Sequence, residues 1–242
     1  VALRRDDEVW AVVAFLRVLP QITPDQYLAL AVSTAEEPDQ PAVEIVRDGI
    51  PQQALTACAR CHSDDRSVSR SRLVPSLAGQ DSAYLVRALR EYAGGRRSSG
   101  IMQPVAAALD NDDISQLADY YARIAPRPLE PGRPDARLIE LGRRIATHGI
   151  PQQSVPACIA CHRSRAGALF PRLDGQPARY IAGQLRLWQS GGRTGTVQGR
   201  IMAAIAPRLD DHQIEAVAAY FQSIPPVQAS DAGQSGATGG DR

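Results

Sequence analysis

The most constraining feature of this chain is the motif C-x-x-C-H, which occurs at residues 58–62 and again at residues 158–162. Two cysteines three positions apart can bond through both sulfurs to one edge of a flat macrocycle, and the next histidine then lies against the metal. This is the attachment motif of a c-type haem. The two copies use all four cysteines of the chain. The sequence therefore predicts two covalent haem c groups, held by Cys58, Cys61 and His62 and by Cys158, Cys161 and His162.

A single copy of the motif would leave three other interpretations open: a chance match, a redox-active dithiol or half of a zinc site. The surrounding sequence argues against them because it is duplicated as well. The matching segments are residues 49–53 and 149–153, residues 75–80 and 171–176, Tyr84 and Tyr180, and Leu109 and Leu209.

The methionines follow the same repeat. The chain has only two, Met102 and Met202, and each lies 40 residues after its motif histidine. A methionine that merely fills space in a core has no reason to keep that position. A thioether that serves as the sixth iron ligand does, because His/Met ligation raises the reduction potential. We therefore predict that Met102 and Met202 complete the two iron sites.

The spacing of apolar residues is helical, and no segment shows strand alternation, so the predicted class is all-α. We expect a first haem domain at 41–126, a Pro-rich linker at 127–135, a second haem domain at 136–226 and a disordered tail at 227–242. The predicted helices span 42–47, 82–92, 111–123, 136–147, 178–189 and 211–223, with both methionines in loops.

Residues 4–20 resemble the helix that closes the second repeat, with a proline at the end of each. Residues 1–40 are therefore predicted to be an orphan helix, the last of a missing upstream haem domain, followed by a connector. On this hypothesis the chain is part of a longer, tri-haem polypeptide. The alternative is an ordinary amphipathic helix at the start of the chain.

The net charge of +1 favours neither nucleic acid nor a strongly attractive membrane surface as a partner. Residues 9–19 are too short and too charged to span a membrane. The first repeat is locally basic, which indicates either a solvated face or a docking surface for an acidic redox partner. Its arginines are Arg60, Arg66, Arg70, Arg72, Arg87, Arg90, Arg96 and Arg97. Because c-type haem is attached outside the cytoplasmic membrane in bacteria, we expect a periplasmic protein, although this chain shows no signal peptide.

With these residues in place, the chain resembles the class I cytochromes c, and its tandem arrangement resembles the di-haem cytochrome c4 group. The resemblance implies that the carbonyls of Pro75 and Pro171 orient the two histidines. It departs from the family after each motif, where Ser63 and Arg163 replace the usual glycine. The loop from histidine to proline also differs, with 13 positions in the first repeat and nine in the second.

Four further side chains require an interpretation. His148 and His212 have no histidine at the equivalent positions of the first repeat, so we expect them to be surface residues. Arg97 and Arg193 either pair with haem propionates or are solvated.

The resemblance implies electron transfer without catalysis, because His/Met ligation leaves no open position on either iron. The expected partners are redox proteins such as a membrane cytochrome complex, a terminal oxidase or a dehydrogenase. The alternatives are a di-haem peroxidase, a cytochrome subunit of a dehydrogenase or oxidase complex and, more remotely, a structural zinc protein.

Overall fold

The computed structural model describes residues 13, 23, 42–50, 57–62, 64, 71–129, 135–162 and 169–226. The expected N-terminal helix and connector, most of the linker and the tail after residue 226 lie outside these residues. We call residues 41–126 the first repeat and residues 136–226 the second repeat.

Nine α-helices are present in the described part of the chain, and its only β-structure is one isolated bridge between Ile150 and Val155. The all-α prediction is confirmed. The helices are α1 (Ala42–Arg47), α2 (Ser82–Ala93), α3 (Met102–Ala107), α4 (Asn111–Arg123), α5 (Ala136–His148), α6 (Ile159–His162), α7 (Ala178–Gln189), α8 (Val197–Ile205) and α9 (Asp211–Ser223). The six helices predicted from the sequence agree with the structure to within one residue at each end.

Four of these helices are preceded by an aspartate that serves as the N-cap residue. Asp81, Asp110, Asp135 and Asp210 each accept a hydrogen bond from a backbone N–H of the first turn. Such caps satisfy donors that have no partner inside the helix. They explain why the starts of α2, α4, α5 and α9 are well predicted from the sequence.

The prediction of loops around the two methionines was wrong. Met102 is the first residue of α3, where its backbone N–H donates to Ser99 Oγ at 3.0 Å. Met202 lies inside α8, which Thr196 caps by accepting a hydrogen bond from the Gly199 N–H at 2.9 Å. The segments contain Pro104 and Gly199, which favour loops, but Pro104 occupies the first turn of its helix and therefore costs no hydrogen bond.

Each repeat has its own apolar core. In the first repeat, α1 and α4 pack against each other and α2 packs across α4. In the second repeat, α5 crosses α9 at Gly142, where a Cβ atom would collide with the carbonyl oxygen of Ala216. A glycine at this crossing allows the two helix backbones to approach closely.

Within the described residues, no helix is both long and apolar enough to cross a membrane.

The two repeats contact each other through glutamines at equivalent positions. Gln80 Oε1 accepts from the Arg172 N–H at 2.9 Å, and Gln80 Nε2 donates to the Arg172 carbonyl at 3.2 Å. Gln176 Oε1 accepts from the Ser76 N–H at 3.0 Å, and Gln176 Nε2 donates to the Ser76 carbonyl at 2.8 Å. Both glutamines are buried. The contact is therefore reciprocal and brings the two candidate sites to one interface.

Candidate haem-binding site

A cavity between the two repeats is lined by all four predicted axial ligands. His62 and Met102 come from the first repeat, and His162 and Met202 come from the second. Cys58 and Cys61 line the same cavity, while Cys158 is half-buried against the core of the second repeat and Cys161 is half-buried. The structure thus gathers into one region the residues that the motif and the repeat singled out.

Both motif histidines are fixed by a proline carbonyl. His62 Nδ1 lies 3.0 Å from the Pro75 oxygen, and His162 Nδ1 lies 2.9 Å from the Pro171 oxygen. A carbonyl only accepts, so Nδ1 must carry the proton, and the lone pair is left on Nε2 for a metal. Burial lowers the pKa of His162, against the opposing effect of the Pro171 bond, and so keeps this imidazole neutral. Neutral imidazole is the form that ligates iron.

The first cysteine of each motif, Cys58 or Cys158, has the surroundings of an inert thiol. Burial raises the pKa of Cys58 and that of Cys158 to about 11, and neither forms a disulfide. A redox-active dithiol needs a lowered thiol pKa, which these cysteines do not have. No group of three or more His, Cys, Asp or Glu side chains that could hold a metal ion occurs among the described residues. The dithiol and zinc interpretations therefore find no support in the site.

Two arginines, Arg97 and Arg193, line the cavity. The Arg97 guanidinium lies 4.4 Å from the centre of the Tyr92 ring, and that of Arg193 lies 4.1 Å from the Trp188 ring. Arg97 is 6% exposed, and its Nε has no hydrogen-bond partner in the part of the chain that the structure describes. Burial, with the charge of Arg97 as the second cause, lowers the pKa of Arg193 to about 10.

A buried cation is normally accompanied by an anion. Among the described residues, neither Arg97 nor Arg193 forms an ion pair with a carboxylate. The propionates of a haem are anions that guanidinium groups bind strongly, so the residues present fit that group. The alternative of a solvated arginine is wrong for Arg97, since this side chain is buried.

The other sequence-based expectations have mixed outcomes. His148 and His212 are exposed, as predicted. Of the basic residues of the first repeat, Arg60, Arg90 and Arg96 are exposed, whereas Arg97 is not part of any outer surface. Arg66 and Arg70 lie outside the described residues.

Sequence reasoning missed two features of the site. One is the pair of glutamines, which the duplicated segments at 75–80 and 171–176 both carry in last place. The other is Tyr121, which lines the cavity and whose buried hydroxyl has no hydrogen-bond partner among the described residues. Burial raises the pKa of this phenol well above its usual value. Comparison of the two repeats could have found it, because Phe221 occupies the equivalent position.

Comparison with known proteins agrees with this chemistry. The model of the family "Cytochrome c" matches residues 140–225. The chain is 36% identical over 185 residues to the thiosulfate dehydrogenase electron acceptor of Stutzerimonas stutzeri, covering 75% of this chain and 85% of the relative. It resembles the structure of cytochrome c4 from Acidithiobacillus ferrooxidans, with a TM-score of 0.61, 33% identity and coverage of 69% of this chain and 98% of that one.

The chain also resembles part of a longer protein of known structure. The structure of thiosulfate dehydrogenase from Marichromatium purpuratum matches with a TM-score of 0.68 and 34% identity, over 76% of this chain and 40% of that chain. The fold, the site and these relatives define a c-type cytochrome. The chain belongs to the cytochrome c family and resembles both its cytochromes c4 and the electron acceptors of thiosulfate dehydrogenase. Its function is electron transfer by c-type haem, and the relatives argue against a peroxidase.

Proposed function

We propose that this chain carries two haem c groups and passes single electrons between a dehydrogenase and a further acceptor in the periplasm. Cys58 and Cys61 would attach the first haem, and Cys158 and Cys161 the second. The axial ligands would be His62 with Met102 and His162 with Met202. The observation that carries this proposal is the cavity lined by both His/Met pairs, with each histidine fixed by a proline carbonyl.

The residues of the chain have separate tasks in this function. Bound haem supplies an iron that gains or loses one electron without making or breaking bonds. The carbonyls of Pro75 and Pro171 fix the ring orientation and the tautomer of the histidines. Arg97 and Arg193 would neutralise the propionates, and the apolar wall keeps the site dry. Because both axial positions would be filled by protein, little rearrangement accompanies each electron.

The electron donor is inferred from the relatives. Two relatives, from Stutzerimonas stutzeri and Thiomonas intermedia, are named as thiosulfate dehydrogenase electron acceptors, at 36% and 33% identity. We therefore propose a thiosulfate dehydrogenase as the donor. We propose the periplasm as the compartment, because bacteria attach c-type haem outside the cytoplasmic membrane and the donor would lie on the same side.

Two measurements test the proposal. Intact-mass spectrometry of the mature holoprotein should show two added haems, and replacing Cys158 and Cys161 by serine should remove one of them. Stopped-flow spectroscopy should show rapid haem reduction when thiosulfate and a thiosulfate dehydrogenase are added together. Reduction no faster than with thiosulfate alone would overturn the assignment of the donor, while the haem count would remain a separate result.

A further inference from the structure

We propose that each interface glutamine tunes the iron of the opposite repeat: Gln80 acts on the site of His162, and Gln176 acts on the site of His62. This inference rests on the proposed function, since it needs a haem at each histidine. Both glutamines are positioning residues that act through the backbone.

The connection in the second repeat passes through one peptide group. The carbonyl of Pro171 and the N–H of Arg172 belong to the same peptide. Its N–H donates to Gln80 Oε1 at 2.9 Å, and its oxygen accepts from His162 Nδ1 at 2.9 Å. Hydrogen bonds at the two ends of one peptide polarise each other and strengthen together. Gln80 therefore makes the Pro171 oxygen a better acceptor for the His162 N–H.

The first repeat contains the same connection in reverse. The carbonyl of Pro75 and the N–H of Ser76 share a peptide, whose N–H donates to Gln176 Oε1 at 3.0 Å. The oxygen of that peptide accepts from His62 Nδ1 at 3.0 Å. The second bond of each glutamine, from Nε2 to the carbonyl of Ser76 or Arg172, holds the side chain in place. The two sites are thus linked crosswise.

The direction of the effect follows from ligand basicity. A histidine that donates a stronger hydrogen bond from Nδ1 is a more electron-rich ligand, and such a ligand favours ferric iron. Ferric stabilisation lowers the reduction potential. Removing the glutamine should therefore raise the potential of the opposite iron. Among the described residues, the Gln80 side chain forms hydrogen bonds with the Arg172 backbone and with the Asp81 N–H at 3.3 Å, so it has no equivalent connection to Pro75 of its own repeat.

The two methionines allow each site to be observed separately. Selective carbon-13 labelling of the methionine methyl groups gives one signal for Met102 and one for Met202, because the chain has no others. Each signal can be followed during a redox titration of the holoprotein. In Gln80→Leu we expect the midpoint followed at Met202 to rise, with that at Met102 unchanged. In Gln176→Leu we expect the midpoint followed at Met102 to rise, with that at Met202 unchanged.

A control within one repeat completes the test. Gln189 donates to the carbonyls of Ala206 and Leu209 in its own repeat, at 3.2 and 2.8 Å. Gln189→Leu should therefore affect only the Met202 signal. If Gln80→Leu does not incorporate haem, Gln80→Asn serves instead, since it keeps the amide but is too short to reach Arg172.

The crosswise inference would be overturned if Gln80→Leu or Gln176→Leu shifts mainly the midpoint of its own repeat, shifts both midpoints equally, lowers the opposite midpoint or changes neither. A wild-type protein in which neither methyl signal is affected by haem would overturn the proposed function instead. The two failures are therefore distinguishable.

Discussion

The two repeats hold the same candidate ligands in different surroundings. In both repeats the methionine lies 40 residues after the histidine, but the loops and helices between these two residues differ in length. From histidine to proline the chain advances 13 positions in the first repeat and nine in the second. From arginine to methionine it advances five positions in the first repeat (Arg97 to Met102) and nine in the second (Arg193 to Met202). Those extra residues help to build the longer helix α8. The positions of the candidate ligands are thus retained while the surrounding loops and helices differ.

The cavity walls differ as well. The first repeat presents the buried Tyr121 hydroxyl and packs Tyr92 against its arginine, whereas the second has Phe221 and Trp188 at those positions. The polarity and hydrogen bonding around a haem adjust its potential once the axial ligands are set. We therefore expect two irons of similar spectrum and unequal potential. The following experiments test this comparison.

The largest effect is expected from the axial methionines. Met102→Ala or Met202→Ala should abolish the weak sulfur-to-iron band of one site and lower its potential by on the order of 0.1–0.3 V, because thioether ligation favours ferrous iron. Optical redox titration measures both changes. A variant that retains the full band and both wild-type midpoints would exclude that methionine as a ligand.

The helix crossing of the second repeat should be the most sensitive packing site. Gly142→Ala forces α5 away from Ala216 and should reduce the free energy of unfolding by about 1–3 kcal/mol. The matched variant Ala42→Gly, at the equivalent position of α1, should cost only about 0.5–1 kcal/mol. Denaturant titration of the holoprotein, followed at each methionine methyl, compares them. Equal effects at the two positions would show that the crossing is not specific to the second repeat.

The first repeat has Tyr121 where the second has Phe221, and each residue can be replaced by the other type. Phe221→Tyr buries a hydroxyl at a fully buried position and should cost roughly 1–3 kcal/mol. Tyr121→Phe removes a hydroxyl that has no protein partner, so the free energy of unfolding should change by less than about 1 kcal/mol. Thermal unfolding distinguishes the two variants. A large loss of stability in Tyr121→Phe would show that the hydroxyl has a partner in the holoprotein.

The raised pKa of Tyr121 also predicts that the folded state loses stability at alkaline pH. Burial raises its folded pKa above the unfolded value, so the folded state holds the proton more tightly. The resulting stability is fully present below the unfolded pKa of about 10 and is lost as pH rises beyond it. The wild type should lose stability more steeply above that pH than Tyr121→Phe does. Parallel slopes for both proteins would contradict the assignment.

The smallest effect concerns an exposed charge pair. Arg186 contacts Asp211 and Glu215, each at 2.9 Å, whereas its counterpart Arg90 contacts Asn111 at 3.2 Å. Asn111→Asp would give the first repeat the same ion pair at a helix start and should stabilise it by about 0.2–1 kcal/mol. The gain should shrink at high salt. A gain that is independent of salt would point to another cause.

Much of the fold was predictable because local chemistry decides it. Aspartate caps and apolar periodicity specify where α4 and α9 begin and end, and the repeated motif specifies the candidate ligands. The methionine helices were not predictable in the same way, since Pro104 and Gly199 favour loops locally and tertiary packing decides otherwise. The roles of Gln80 and Tyr121 depend on which side chains meet across the folded molecule. One sequence read along its length does not contain that information.

The central claim is that each of two irons is held between a histidine and a methionine. The most direct measurement is the carbon-13 spectrum of the methionine methyls in the reduced holoprotein. The account predicts that both signals, from Met102 and Met202, are shifted strongly upfield by a porphyrin ring current. A spectrum in which either methyl has the ordinary position of a free methionine would contradict it.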